Sequence, residues 1–324
     1  MLDEFSLIDT YFRSQRTCRD DVVLGIGDDA AVLSPGANQE LVITTDLLVA
    51  DIHFPDATDP RAVGHKALAV NLSDLAAMGA EPAWATLTLC IPQPDTDWLA
   101  QFCRGLFTLM DEWSVQLVGG DTVRGPLSIG IQLCGSVEAG GAIRRSGACP
   151  GDDLYITGTL GDAAVALLAI QDRLAPAPGI RQRLQQRLDF PVPRVREGCA
   201  LRGIASAAID VSDGLAADLG HLARASEVAA RVNLSDIPLS AECHELVQQG
   251  LGWDPVVSGG DDYELCFTAP PDAAERITSL FQTLDTPVTR IGCIAVGSGV
   301  TFKDRQGRLF DPTDVGYDHF SAHD

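Results

Sequence analysis

The run DPRAVGHKALAVNLSDLAAMGA, Asp59 to Ala80, lies between two β-rich runs, ELVITTD (Glu40 to Asp46) and AWATLTLCI (Ala83 to Ile91). Asp59 is suited to cap a helix, and Pro60 to its first position, where the missing amide hydrogen is no loss. Val63, Ala67, Val70 and Met78 then recur at helical spacing, which predicts a buried helix with Asn71 and Asp74 on one face. Beyond it, DTDWLAQFCRGLFTLMDEW (Asp95 to Trp113) reads as a second helix, and PLSIGIQLCGSV (Pro126 to Val137) alternates over its first half as a half-buried strand does. Strands and helices therefore alternate, though not in the strict rhythm of a doubly wound sheet.

A chain of 324 residues is longer than one hydrophobic core usually organises, so two domains are expected. GGAIRRSGACPGDD (Gly140 to Asp153) is the best boundary, being Gly-rich and placed between a strand and the apolar LYITG. The second half repeats the alternation. Helices are expected from Asp162, near PRVREGCALRG, over GLAADLGHLARAS and over PPDAAERITSLFQTL; strands are expected at AAIDVS, ARVNLS, YELCFTA and VTRIGCIAV. PAPGIRQR (Pro176 to Arg183) reads as a surface connection, and DVGYDHFSAHD as a polar tail anchored by Tyr317 and Phe320. Trp84, Trp98 and Trp113 fall in strand or helix patterns and read as core.

Lys plus Arg number 23 against 45 Asp plus Glu, a formal net charge of -22. Such a field repels nucleic acid and anionic membrane surfaces, so an anionic ligand has to be met by a local cation or a bound metal. MLDEFSLIDTYF is acidic where a signal peptide is basic, and no apolar run reaches membrane-spanning length, which makes the cytoplasm the expected compartment. The nine cysteines include no Cys-x-x-Cys and sit mostly in strand-like runs, so they read as reduced core thiols.

What stands out is acid beside glycine or at the end of apolar runs: GIGDDAAVL, ITTDLL, NLSDLAAMG, VGGDTVRG, AIDVSDGL and SGGDDYEL. A single Asp in such a place is ordinarily a turn or cap residue, and Asp213 before GLAADL reads as a possible N-cap. As a set they differ, because several follow β-runs, where α/β chains deliver residues to ligand sites. Gathered carboxylates either raise their pKa values or hold divalent cations. Oxygen donors, with Thr44 and Thr45 adding to Asp46, fit Mg²⁺ bridging to phosphates; zinc lacks Cys or His pairs at ligand spacing. Neither a P-loop nor a protein-kinase signature is present. Arg145, in a Gly-containing turn, reads either as a phosphate clamp or as an exposed boundary arginine, and His53 beside Phe54 reads alone as a packed histidine.

In order, GIGDDAAVL, TTDLLV with HF, KALAVNLSDLAAMGA, GGDTVRG, RSGACPGD, DVSDGLAADL, SGGDDYELCF and GYDHF resemble the thiamine-monophosphate kinases. That family belongs to the superfamily of aminoimidazole ribonucleotide synthetase and selenophosphate synthetase. Each motif alone is loose; eight in order, from about Phe5 to Phe320, are specific. The resemblance implies an α/β fold of the two-domain α+β type, with mixed sheets flanked by helices. It implies an N-terminal metal- and ATP-binding, dimerising domain (1–138), a C-terminal α/β domain (148–305) and a tail (306–324) that adds to the substrate site. The activity implied is ATP-dependent phosphorylation of thiamine monophosphate to thiamine diphosphate by direct in-line transfer, in a homodimer with several Mg²⁺ ions and ATP in a cleft between domains. Carried over by position, Asp29, Thr44, Thr45, Asp46, Asp74, Asp121, Asp210 and Asp213 would ligate metal, directly or through water. Gly120, Arg145 and Ser212 would contact the nucleotide phosphates, and His53, Asp261 and Tyr317 the thiamine monophosphate. No residue is assigned as acid, base or nucleophile.

Two departures matter. Asp261 stands where the family often has Glu, so a shorter carboxylate must reach the same group. VADIHF lacks the Gly that commonly precedes His53, which bears on the path of that loop. Two other functions stay open on the residues: another ATP-dependent synthetase of the superfamily, or a non-catalytic Mg-nucleotide-binding dimer. Cys18, in RTCRD, lacks the Gly-rich setting of the reactive residue in selenophosphate synthetases.

Overall fold

Asp59 accepts a hydrogen bond from Arg61 N at 2.9 Å, and its carbonyl accepts the first helical bond from Val63 N at 3.0 Å, so the helix begins at Pro60 as the capping pattern predicts. The structure, a computed structural model, describes residues 4–13, 15–313 and 316. Two units divide the chain: Met1–Leu75 with Ala80–Ala142, and Ala76–Gly79 with Ile143–Asp324.

In the first unit the order is α1 (Glu4–Leu7), β1 (Val22–Leu24), β2 (Val32–Leu33), β3 (Gln39–Val49), α2 (Pro60–Ala77), β4 (Glu81–Ile91), α3 (Thr96–Glu112), β5 (Gln116–Arg124) and β6 (Ser128–Glu138). A four-stranded sheet runs β3-β6-β4-β5, antiparallel except for the parallel pair β4 and β5. Leu68, Leu72 and Leu75 of α2 and Phe102, Leu106 and Met110 of α3 form its core with Leu89, Ile129 and Leu133 of the sheet. The two helices cross at glycines. A Cβ on Gly64 would strike the carbonyl of Phe102, and one on Gly105 that of Arg61, so only glycine permits this approach. Asp95 caps α3 by accepting from Asp97 N and Trp98 N at 2.9 and 3.0 Å.

In the second unit follow β7 (Asp153–Thr157), α4 (Asp162–Ile170), α5 (Pro178–Asp189), α6 (Val195–Ala200), β8 (Ala207–Val211), α7 (Leu215–Ala225), β9 (Ala229–Asn233), α8 (Ala241–Leu246) and α9 (Asp254–Val257). The unit closes with β10 (Glu264–Ala269), α10 (Ala274–Leu284), β11 (Val288–Ala295), β12 (Gly299–Lys303) and β13 (Leu309–Phe310). Its seven-stranded sheet runs β13-β12-β9-β11-β7-β10-β8, with only β12 and β9 parallel. Every residue of β7, β8 and β10 is buried, because both faces of this part of the sheet are covered; their sequences accordingly read as continuous apolar runs. The expected α/β fold with mixed sheets and flanking helices is the fold observed.

Four expectations change. PAPGIRQR is not a surface connection: Pro178 opens α5, whose Ile180, Leu184 and Leu188 recur every four residues and are buried. Asp213 does not cap α7. Gly214 holds that position, and the capping carboxylate comes from Asp218, one turn inside. Trp84 is core, but Trp98 and Trp113 are half-buried at the two ends of α3. The nine cysteines are free, yet Cys18 and Cys149 are exposed rather than core. Among the described residues no helix is long and apolar enough to cross a membrane.

Candidate functional site

In the first unit, β3 presents alternate residues to opposite faces. Thr44, Asp46 and Leu48 share the face that α2 covers, and the Thr44 hydroxyl donates to the Asp74 carboxylate of α2. Thr45 stands on the other face and is exposed, so its hydroxyl is not with the other two. Across the sheet Asp46 faces Ile131, Ile131 faces Leu87, and Leu87 faces Gly120. Asp46 and the Gly120–Asp121 pair thus sit on opposite edge strands, three strand spacings or roughly 14 Å apart along the sheet. Gly120, with φ +153°, lets β5 lie so close to β4 that a Cβ would strike the Leu87 carbonyl. Asp29 is exposed just before β2, its amide bonded to Asp28 Oδ1 at 2.8 Å. Among the described residues, no three His, Cys, Asp or Glu side chains are gathered as a ready-made metal cage. Asn71, one turn before Asp74, is fully buried; its amide donates to Ala67 O at 3.0 Å, while its Oδ1 has no hydrogen-bond partner.

His53 lies in a tight turn after β3. Its Nδ1 accepts from Val49 N at 3.0 Å and its own amide donates to Val49 O at 2.9 Å, an arrangement that places the proton of a neutral ring on Nε2. The missing glycine of VADIHF is absorbed locally: Asp51 takes φ +62°, a left-handed conformation that Asp tolerates.

In the second unit, Asp210 is buried in β8 opposite Leu265 of β10. The chain then turns through Ser212, Asp213 and Gly214 into α7. One oxygen of Asp218, Oδ2, accepts all three amides of that turn at 3.0, 3.0 and 3.1 Å. Burial, and then the charge of Asp213, push the Asp218 carboxyl up to about 7, although the three amides oppose the shift.

The same turn meets a second one: Ser212 O accepts from Asp261 N, and Val211 O from Tyr263 N, both at 2.8 Å. Asp261 and Tyr263 have φ of +71° and +51°, and the Tyr263 hydroxyl donates to Asp261 Oδ1 at 2.8 Å. Between them Asp262 points inward and accepts from Gly161 N at 2.9 Å; burial pushes its carboxyl well above the usual range. Beneath, Arg194 grips Glu264 through two bonds of 2.6 Å. Burial alone would lower the Arg194 pKa, but the hydrogen bond and charge of Glu264 outweigh it and raise it. Thr159, Asp162, Arg187, Asp261, Asp262 and Glu264 line a small cavity beside these turns.

Arg145 is exposed, and its carbonyl accepts from Ser226 Oγ at 2.9 Å at the far end of α7. Its backbone and Ser212 are therefore a helix length apart, roughly 18 Å. Tyr317 lies outside the described residues.

Sequence reasoning passed over Asp218, Tyr263, Arg194 and Glu264. Asp218 had a legible signal, a single acid on the apolar face otherwise formed by Leu215, Leu219 and Leu222. Tyr263 had none, because its role depends on a backbone conformation that the residue type disfavours.

Two family models match, "AIR synthase related protein, N-terminal domain" over residues 27–137 and "AIR synthase related protein, C-terminal domain" over 149–305. A thiamine-monophosphate kinase of Salmonella typhimurium is 47% identical over 322 residues, 98% of this chain and 98% of that protein. The chain belongs to the thiamine-monophosphate kinase family. The crystal structure of thiamine-monophosphate kinase from Stenotrophomonas maltophilia K279a has a TM-score of 0.86 at 50% identity, covering 93% of this chain and 96% of its own. A solved structure of AaThiL complexed with AMPPCP and TMP has a TM-score of 0.77 at 29% identity, covering 98% and 97%.

Proposed function

We infer that the protein phosphorylates thiamine monophosphate to thiamine diphosphate at the expense of ATP, by direct transfer of the γ-phosphoryl group to the substrate phosphate. The observation that carries this reading is a full-length match, at 47% identity, to relatives that bear the name of that activity. The site chemistry agrees with it. An acceptor phosphate is already ionised at neutral pH, so the reaction asks for charge neutralisation and alignment rather than a strong base. That suits a site rich in Asp, where the one histidine, His53, has a ring nitrogen committed to its own turn.

The residues fit Mg²⁺. Thr44, Asp46 and Asp74 offer only hard oxygen donors on one face of β3, and the partnerless Asn71 Oδ1 is a buried acceptor that a metal-bound water would satisfy. Asp29, Thr45, Asp121, Asp210 and Asp213 would complete the ligand sets of several ions, with Thr45 acting through its backbone oxygen. When bound, Mg²⁺ would neutralise the repulsion between the two phosphate groups. Gly120 and Ser212 would offer backbone and hydroxyl donors to the nucleotide phosphates, and Arg145 a guanidinium. His53 Nε2, Asp261 and Tyr317 would orient thiamine monophosphate. In this arrangement the first unit (1–138 in the sequence reading) carries most metal ligands, the second (148–305) the turns, and the tail (306–324) Tyr317.

The enzyme would act as a homodimer in the cytoplasm. Leu41, Ile43 and Leu47, the stripe of β3 opposite Asp46, are about half exposed, a face suited to a second copy. Sedimentation at a mass near 34.4 kDa rather than twice that value would remove the dimer. For the activity, ADP release is expected only with thiamine monophosphate and Mg²⁺ both present; release independent of thiamine monophosphate, or no release, would contradict the reading.

A further inference from the structure

We propose that Asp218 is a positioning residue that holds the nucleotide turn and the substrate turn in one geometry. The proposal rests on the reading of Ser212, Asp213 and Asp261 given above. Asp218 closes the first turn of α7, 3% exposed, and its Oδ2 gathers the amides of three successive residues, Ser212, Asp213 and Gly214. An N-cap side chain takes up amides of the first helical turn, not those of the N-cap and the two residues before it. The acceptor for these three comes from inside the helix, while Gly214 at the N-cap has no side chain, and a Cβ there would meet the backbone of Ser258 and Gly259. A carboxylate reaching back to three amides fixes the direction of each peptide plane. It thereby fixes where the Ser212 hydroxyl and the Asp213 carboxylate project.

The clamp extends one bond further. The Asp213 N–H lies in one peptide plane with the Ser212 carbonyl, which accepts from Asp261 N at 2.8 Å, and the Ser212 N–H in one plane with the Val211 carbonyl, which accepts from Tyr263 N at 2.8 Å. Asp261 and Tyr263 both hold positive φ values of +71° and +51°, which neither residue favours. Those two bonds help hold that conformation, and Tyr263 Oη then braces the Asp261 carboxylate. One oxygen of a residue that touches neither substrate thus sets both turns.

Three variants test this. Asp218→Asn keeps one acceptor oxygen and is expected to stay within about threefold of wild type. Asp218→Ala removes it, and Asp218→Glu displaces it by a methylene. Both should lower kcat/KM about 100-fold, the scale of a misplacement near 1 Å, with KM rising for ATP and for thiamine monophosphate together. Amide exchange at residues 212–214 and 261 should accelerate in the same two variants. Unchanged KM values with only a lower melting temperature would reduce Asp218 to a helix cap and overturn the proposal. So would a wild-type-like Glu variant, which also serves if the Ala variant does not fold. Calorimetry with a non-hydrolysable ATP analogue and Mg²⁺, without thiamine monophosphate, separates the two readings. Wild-type turnover with unweakened analogue binding by Asp218→Glu overturns the clamp alone; analogue binding without wild-type turnover overturns the assigned activity alone.

Discussion

Asp46 and Asp261 differ in what their loss should do. Asp46 lies on the α2-covered face of β3 with Thr44, whose hydroxyl reaches Asp74, and in the proposed arrangement its charge would meet metal on phosphate. Asp46→Asn is expected to lower kcat by at least about 100-fold, the scale of losing one charge-stabilising group, with an unchanged circular dichroism spectrum. Turnover near wild type would remove metal from that position. Asp261, braced by Tyr263, is assigned to the other substrate. Asp261→Ala should raise KM for thiamine monophosphate more than for ATP, while Asp261→Glu is tolerated; equal rises would make 261 a structural turn.

At the scale of elements, the helix from Pro60 was legible because its cap, its first residue and its apolar spacing all agree. Thr44 and Asp74 lie 30 residues apart, and nothing in periodicity brings them together; the tight α2–α3 crossing at Gly64 and Gly105 packs the helix that carries Asp74. α5 is hard to read from sequence because its charged stretch hides three buried positions spaced by four. The 212–214 and 261–263 turns were legible as acid beside glycine, but their mutual bonding was not, since it depends on φ values against residue preference.

Those turns carry a pH dependence. Burial raises the Asp262 carboxyl in the folded state, so the folded chain binds that proton more tightly than the unfolded one. The stabilisation is full below the unfolded value of about 3.8 and is lost as pH rises through the raised folded value. Asp262→Asn keeps an acceptor for Gly161 N and removes the titration. The difference in melting temperature, variant minus wild type, should therefore grow from pH 4 to pH 8; a constant difference would show that Asp262 titrates normally.

Over the whole molecule, a net charge of -22 would disfavour an enzyme whose two substrates carry phosphates, unless cations intervene. That tension is what joins the composition to the scattered acids and to the family. In the proposed arrangement the acids would hold metal and His53, its Nδ1 held by Val49 N, would orient thiamine monophosphate through Nε2, so the phosphoryl group would pass without a side chain as carrier. The direct test is a single turnover with γ-labelled ATP, Mg²⁺ and thiamine monophosphate, quenched in time and resolved into nucleotide, thiamine and protein fractions. The account predicts that the label leaves ATP and appears only in the terminal phosphate of thiamine diphosphate, with none on the chain at any time. Label that reaches inorganic phosphate alone, or that first accumulates on the protein and then chases into thiamine diphosphate, would contradict it.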